Sequence, residues 1–450
     1  MSKPTDIRIV EVHCSFEQYK FRTPLRFGGR TQTGSELINV EIKVESRNKK
    51  HATGFGSMPL GNAWAWPSDT VSPEQTSQAM KAFANEMIDL AEDFPEYAHP
   101  LETMYRISGE YVHLGQKIST QMKLLEVMPP LAELVSASPF DAALHDAFGR
   151  VHHQNSYDLL GKEYTTYDLS EYLDDSYKGE YLDKYTLRVP KPRMPLYHLV
   201  GAVDPLSPAD VQEKINDKLP ECLAEWIKAE GLTHLKVKLG SGNLQEDLDR
   251  MIAVDAVASE AQAARGCKDW HYSLDFNEKC PNADFLLDFL KQLKAKVPAA
   301  YDRIQYIEQP TARDLKAHPE QTMHEAAQLK PIVIDESLVD YETLLLSRER
   351  GYSGVALKAC KGHTDALLLG AAAQKMGLFL CVQDLTCPGF SFLHSASLAA
   401  RLPGVAAIEG NARQYSPSLN RQWRVRFPGM FDIKDGTVQT GLLNAEGLGF

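Results

Sequence analysis

Apolar and polar residues alternate with a period of two from Ile7 to about Thr53, first in IRIVEVHC and again in LINVEIKVES. That is the signature of half-buried antiparallel strands. Between them PLRFGGR carries Gly28 and Gly29, which predicts a mobile loop. Past HATGFGSMPLGNAWAWPSD the period lengthens. SPEQTSQAMKAFANEMIDLAEDF begins with a serine at the capping position and a proline at the first helical residue, then runs apolar at helical spacing. ELVSASPFDAALHDAFGRVHHQ reads as a second helix, rich in alanine. The first third therefore predicts an α+β domain. Residues 163–193 are rich in tyrosine and charge, close with Pro190 and Pro192, and read as a linker or insertion.

Beyond it, short apolar runs alternate with helical stretches: LYHLVGA, HLKVKLG, HYSLDFNE, IQYIEQP, PIVIDES, GVALKAC, LFLCVQD and VAAIEGN. Eight buried-looking strands separated by helices are what a βα barrel of about 250 residues requires. A doubly wound open sheet would also alternate in this way, but no glycine-rich phosphate fingerprint follows the first strand, and the count reaches eight. The expected division is a capping domain over residues 1–190, with the insertion near 163–193, a barrel over 194–415, and a segment over 416–450 that returns to the cap.

Charge on those runs points to chemistry. Parallel strands are buried on both faces, so a charge within them is costly unless paired or metal-bound. Yet charge recurs at their carboxyl ends: Lys236 and Lys238 on the second run, Asp275 on the third, Glu308 on the fourth. Asp335 and Glu336 end the fifth, Lys358 the sixth and Glu409 the eighth. In a βα barrel these ends meet at one rim, where active sites form. Asp275, Glu308 and Asp335 on successive strands form an oxygen cage suited to a hard cation such as Mg²⁺. Each carboxylate alone reads more simply as a cap or loop residue; their repetition at one level reverses that. Lys236 and Lys238 are two apart and point the same way. Packed together and partly desolvated, they would lower each other's proton affinity from about 10.4 toward roughly 7–8. Lys358 would face them across the barrel mouth, as inversion at carbon needs.

Composition narrows the partners. A formal charge of −12 argues against nucleic acid. Seven scattered cysteines without a C-x-x-C pair argue against a disulfide framework and a zinc site. The start lacks a stretch of signal-peptide length, and the most apolar segment is broken by Gln374 and Lys375, so a cytoplasmic protein without a membrane span is expected.

With K-x-K at Lys236–Lys238, D-x-N at Asp275–Asn277, E-Q-P at Glu308–Pro310, D-E-S at Asp335–Ser337 and a strand-borne Lys358, the region from about Pro195 to Arg413 resembles the muconate-lactonizing subgroup of the enolase superfamily (the mandelate racemase/muconate lactonizing enzyme family). FRTPLRFGG, the stretch ending DLLGK and the tail GLLNAEGLGF are similar more loosely. The resemblance implies a TIM-type barrel modified to (β/α)7β, an N-terminal cap, a small carboxylate substrate and a homo-oligomer. It also implies Mg²⁺ held by Asp275, Glu308 and Asp335, stabilising the enediolate left when the carbon beside the carboxylate loses a proton. Lys238 and Lys358 would be the acid/base pair, and Lys236 would tune Lys238. Asn277, Glu336, Gln383 and Glu409 would orient the site or touch substrate. Racemisation or epimerisation leads; elimination or cycloisomerisation would use the same residues. A Schiff-base aldolase would need a barrel lysine but no carboxylate cage, and a non-catalytic relative would have lost a ligand or a base.

Three departures stand out. The seventh strand ends Gln383-Asp384-Leu385 without the histidine of a His–Asp dyad. The eighth reads Glu409-Gly410-Asn411 where dipeptide epimerases tend to show D-x-D. Lys361-Gly362-His363 replaces a glycine pair after Lys358. The aromatic NAWAWPSD (Trp64, Trp66) reads as either a specificity lid or a packing patch.

Overall fold

Three antiparallel strands, β1 (Ile7–Phe27), β2 (Arg30–Ser46) and β3 (His51–Pro59), open the chain in the computed structural model, which describes residues 3–450. Met1 and Ser2 of the expected cap lie outside the described residues. Period-two alternation gives the sheet one apolar face: Ile38, Val40, Ile42 and Val44 of β2 are wholly buried, each worth about 1.5–3 kcal/mol relative to exposure. Against that face lie helices α2 (Pro73–Glu92) and α5 (Pro130–Val151), preceded by the short α1 (Asn62–Ala65) and joined by α3 (Pro100–Ser108) and α4 (Tyr111–Gln121). Ser72 and Gln75 form a reciprocal capping box at the start of α2, with Pro73 in the first turn. Nearly every residue of α5 is buried. On β3, a Cβ at Gly54 would lie 2.1 Å from the Ala143 carbonyl oxygen, and one at Gly56 1.9 Å from that of Pro139. Only glycine lets the strand backbone rest directly on the helix.

The PLRFGGR segment is a correction. It is not a loop: β1 runs on through Phe27 after a register break between Lys20 and Leu25, and only Gly28 and Gly29 turn the hairpin. Leu25 is pinned in a small apolar cluster with Leu199 and Tyr415 of the second half, which fixes the arm across the barrel mouth.

The second half is a closed ring of eight parallel strands: β4 (Met194–Val200), β5 (His234–Lys238), β6 (His271–Asp275), β7 (Ile304–Glu308), β8 (Ile332–Ile334), β9 (Gly354–Lys358), β10 (Phe379–Gln383) and β11 (Ile408–Glu409), with β11 paired back to β4. These are the eight apolar runs, in order. Outward residues pack under the intervening helices. Inward ones, with Tyr197, Tyr306, Val333, Ala356, Cys381 and Ala407 together, fill the interior, so the barrel is a packed core with its chemistry at one rim.

The segment 163–193 is held against the outside of the barrel through three short 3₁₀ turns. Leu187 N–H donates to the Arg401 carbonyl (2.7 Å), and Gln374 Nε2 donates to that of Tyr185 (3.0 Å). The tail adds β12 (Thr437–Val438) antiparallel to β4, and its last residues lie on α5, where Leu448 N–H donates to Asp146 Oδ1 (3.0 Å). Among the described residues no helix is long and apolar enough to cross a membrane.

Candidate active site

Strand register sets the site. Lys238 is the Cα partner of Asp275, and Asp275 of Glu308, so these three stand side by side at the ends of β5, β6 and β7. Asp335 and Glu336 follow β8, Lys358 ends β9, Gln383 ends β10 and Glu409 ends β11. All ten residues expected from the sequence are gathered at this rim, and all are buried. Backbone strain gathers here too: Asn277 and Glu278 after β6, Gln309 after β7 and Thr386 after β10 all have positive φ, a conformation that costs a non-glycine residue on the order of 1–3 kcal/mol and persists where the surroundings impose it.

The side chains form one ion-paired network. Lys236 Nζ lies 2.9 Å from Glu308, 2.9 Å from Glu409 and 3.2 Å from Asp275. Lys238 pairs with Asp275. Across the mouth, Lys358 is 3.0 Å and Lys361 3.1 Å from opposite oxygens of Asp335. Gln383 donates to Glu308, and Asn411 Nδ2 donates to Glu409 Oε1 (2.6 Å) and to Asp384 Oδ1 (3.1 Å). Asn277 Nδ2 (3.1 Å) and Trp64 Nε1 (3.0 Å) both donate to Glu336 Oε1.

These contacts correct one expectation. Burial alone would lower the affinity of Lys236 for its proton, but Glu308, Glu409 and Asp275 outweigh it and hold the ammonium well above its ordinary range. Lys358 is likewise raised, since burial is outweighed mainly by Asp335. Lys236 therefore does not have the lowered pKa expected of it; it is a counter-ion for three carboxylates. For Asp335, burial opposes ionisation, yet Lys358, Lys361 and Lys236 bring the carboxyl down to about 2. Glu336 lacks such partners. Burial first, then Asp335, Glu278 and Asp275, push it up to about 7.

Six carboxyl groups (Asp275, Glu308, Asp335, Glu336, Asp384, Glu409) meet four ammonium groups (Lys236, Lys238, Lys358, Lys361), two more acids than bases, and burial raises Glu308, Glu336 and Asp384 above the ordinary carboxyl range. The donors that remain are oxygens. Glu336 Oε2 and Asn277 Oδ1 are buried without hydrogen-bond partners, and the Asp335 oxygens make ion pairs but no well-angled hydrogen bond. In donor type and charge the residues suit a hard divalent cation. They are not arranged as an open cage: among the described residues no three His, Cys, Asp or Glu side chains are disposed to hold an ion, because ammonium groups stand among the carboxylates.

Several participants were not assigned from the sequence. Lys361 showed only as a departure after Lys358; its Nζ donates to the Asp335 and Leu338 carbonyls and fastens the two neighbouring loops together. Gln309 Oε1 accepts from Asp335 N–H (2.9 Å) and Ser337 N–H (3.2 Å), so the E-Q-P turn shapes the D-E-S turn. Asp384 accepts from Asn411 and from backbone amides. Burial and then Glu409 push it up to about 7. A cavity of about 50 Å³ lies over the network, lined by Lys236, Lys238, Asp335, Lys358 and Glu409 below and by Phe21, Leu25, Phe27 and Trp64 from the N-terminal region.

A closed parallel barrel under an antiparallel-sheet cap, with acid and lysine at the strand ends, defines a barrel of the enolase type. The chain belongs to the enolase C-terminal domain-like family, whose sequence profile matches residues 218–450, more than half of its length. No curated protein matches it in sequence. Among solved structures it is similar to the dipeptide epimerase from Enterococcus faecalis V583, complexed with Mg and the dipeptide L-Leu-L-Tyr: 18% identity, TM-score 0.61, covering 98% of this chain and 99% of that one. It is similar also to the substrate-liganded L-Ala-D/L-Glu epimerase from Bacillus subtilis, at 16% identity, TM-score 0.64 and 98% coverage of both chains. A third is the muconate lactonizing enzyme from Pseudomonas fluorescens complexed with muconolactone: 16% identity, TM-score 0.63, covering 98% of this chain and 96% of that one. At such identities the likeness is one of fold. The resemblance drawn from the five motifs is borne out.

Proposed function

We propose that this chain is an isomerase of the racemase or epimerase type, which removes the proton from the carbon beside a substrate carboxylate and returns it on either face. The observation that carries the reading is the placement of Lys238 and Lys358, four strands apart in a ring of eight, both lining one cavity beside Asp335. Two amine bases facing one reacting carbon are what inversion requires. The epimerases among the structural relatives support an isomerase, and the muconate lactonizing enzyme keeps cycloisomerisation as the rival.

In this reading Asp275, Glu308 and Asp335 would hold Mg²⁺, an ion present in the dipeptide epimerase complex. When bound, the ion supplies the positive charge that makes loss of a proton beside a carboxylate affordable. The chain's own residues do the rest. Lys236 keeps Glu308 and Glu409 in place, and Gln383 orients Glu308 from the other side. Asn277 and Trp64 fix Glu336. Lys238 takes the proton at Nζ on one face, and Lys358 delivers one at Nζ on the other. Phe27, Trp64 and Leu25 exclude water from above.

The test is ¹H NMR in D₂O, with Mg²⁺, of a panel of α-substituted acids against wild type, Lys238→Ala and Lys358→Ala. Wash-out of an α-proton signal without a new product, with inversion lost in both variants and exchange kept only from the enantiomer served by the remaining lysine, supports the isomerase. An alkene or keto product assigns the chain to the lyases instead.

A further inference from the structure

Both lysines placed at the reacting carbon lie beneath an aromatic ring from outside the barrel. The indole centroid of Trp64, on α1, is 4.7 Å from Lys358 Nζ, and the ring centroid of Phe27, the last residue of β1, is 5.8 Å from Lys238 Nζ. An aromatic face attracts an ammonium group through its quadrupole, most strongly where water is excluded. Lys358 is 4% exposed and Lys238 8%, although both line the cavity at the mouth.

The two rings are mounted differently. Trp64 is locked: its Nε1 donates to Glu336, its carbonyl accepts from Arg313 Nη1 (3.1 Å), and Arg313 is in turn paired with Glu278. Gly61, just before α1, has φ +54° and packs so closely on Leu385 that a Cβ would fall 2.3 Å from it, which sets the angle at which α1 presents the indole. Phe27 sits at a hairpin tip, half-buried, followed by Gly28 and Gly29 at φ +51° and +78°. One ring is thus braced by the rim itself, the other by an arm anchored at Leu25.

We propose that Trp64 and Phe27 are positioning residues, each a dedicated cover for one base: Trp64 shields and orients Lys358, and Phe27 does so for Lys238. The N-terminal region then controls the two faces of the reaction separately. The assignment rests on the isomerase reading for its purpose but not for its test.

The test is reductive methylation of the full-length chain with formaldehyde and cyanoborohydride, read lysine by lysine by peptide mass spectrometry, with no substrate present. Trp64→Ala is expected to raise labelling of Lys358, and of Lys361 5.7 Å from the same ring, by on the order of tenfold, while leaving Lys238 as in wild type. Phe27→Ala is expected to do the reverse. Lys236, 1% exposed and held by three carboxylates, reports an intact barrel by staying unlabelled, and Lys49, with its side chain 68% exposed, gives the unhindered rate. Should an alanine variant label Lys236, selectivity is read on Trp64→Leu and Phe27→Leu, which keep more of the packing. Equal exposure of both lysines by either substitution, or no exposure of the lysine beneath the removed ring, overturns the proposal. Loss of α-proton exchange across the whole panel would strike the reaction and leave the covers standing.

Discussion

Two clusters of polar side chains are buried in this protein, and what burial does in each depends on the cations nearby. At the rim, Asp335 lies between two lysines and is held at about 2 despite burial, while Glu336 and Asp384, without an ammonium partner, rise to about 7. At the seam between α5 and the barrel, His99, His145, His363 and His394 make a chain of ring contacts at 6.2, 4.6 and 5.1 Å, beside Asp141. Among the described residues no lysine or arginine pairs with that carboxyl. Burial pushes Asp141 up to about 7 and brings His99 and His394 down to about 3. The seam is neutral: Thr364 N–H (2.7 Å) and Oγ1 (2.9 Å) donate to Asp141, while Nδ1 of His145 and of His394 is buried without a hydrogen-bond partner. Charge is retained only where opposite charge accompanies it. The comparison separates a site built to keep charge from a joint built to shed it.

The largest effect should come from breaking the rim at one base. With Lys358→Ala, inversion is expected to fall by about 10²–10⁴, the usual contribution of a general acid or base. Exchange of the α-proton in D₂O should persist from the enantiomer served by Lys238. Enantiomer-resolved NMR checks this, and equal loss from both enantiomers would mean that the lysines do not act on separate faces.

Next comes the surplus of acid groups. If the rim's carboxyls receive a divalent ion, Mg²⁺ should raise the melting temperature, equivalent to about 2.7 kcal/mol at a hundred times its dissociation constant. Glu308→Gln should remove most of that shift. The seam predicts the control: Asp141→Asn should leave it intact. A Mg²⁺ shift unchanged in Glu308→Gln would take that residue out of the ligand set.

The seam has its own pH dependence. Asp141 has a folded pKa of about 7 against an ordinary 3.8, so above pH 4 the unfolded chain releases a proton that the folded one keeps, and stability falls as pH rises toward 7. The histidines act in the other direction. His394 stays neutral when folded down to about pH 3, so its stability is present above its unfolded pKa and is lost as pH falls below it. Asp141→Asn should therefore gain on wild type between pH 5 and 7, by on the order of 2–4 kcal/mol at most. Denaturant titrations at several pH values measure it. A constant difference between the two proteins would show that Asp141 is already ionised in the fold.

The rim was legible in the sequence because a charge at the end of a buried strand has few explanations, and five motifs repeated that signal in order. The capping box of α2 was legible because Ser72, Pro73 and Gln75 are adjacent in sequence. The seam was not. Its histidines are separated by up to 295 positions along the chain, one capping α3 and the others on helices that read as ordinary core, and only packing of α5 on the barrel brings them together. Phe27 was hidden for a related reason: PLRFGGR looks like a loop until Leu25 is seen fastened to Leu199 and Tyr415. The expected lowering at Lys236 failed because strand spacing gives the direction of its side chain but not the three acids it meets.

The smallest effect is a reference for the others. Ser72 caps α2 through Gln75 N–H (3.2 Å), at an exposed helix end outside both clusters. Ser72→Ala should cost about 1 kcal/mol, the same at every pH from 5 to 8 and with the Mg²⁺ shift unchanged, because neither titrating group nor metal donor is involved. If Ser72→Ala altered the pH slope, the slope would belong to unfolding of the whole N-terminal region and not to the histidine–aspartate seam, and the contrast between a charged rim and a neutral joint would lose its second term.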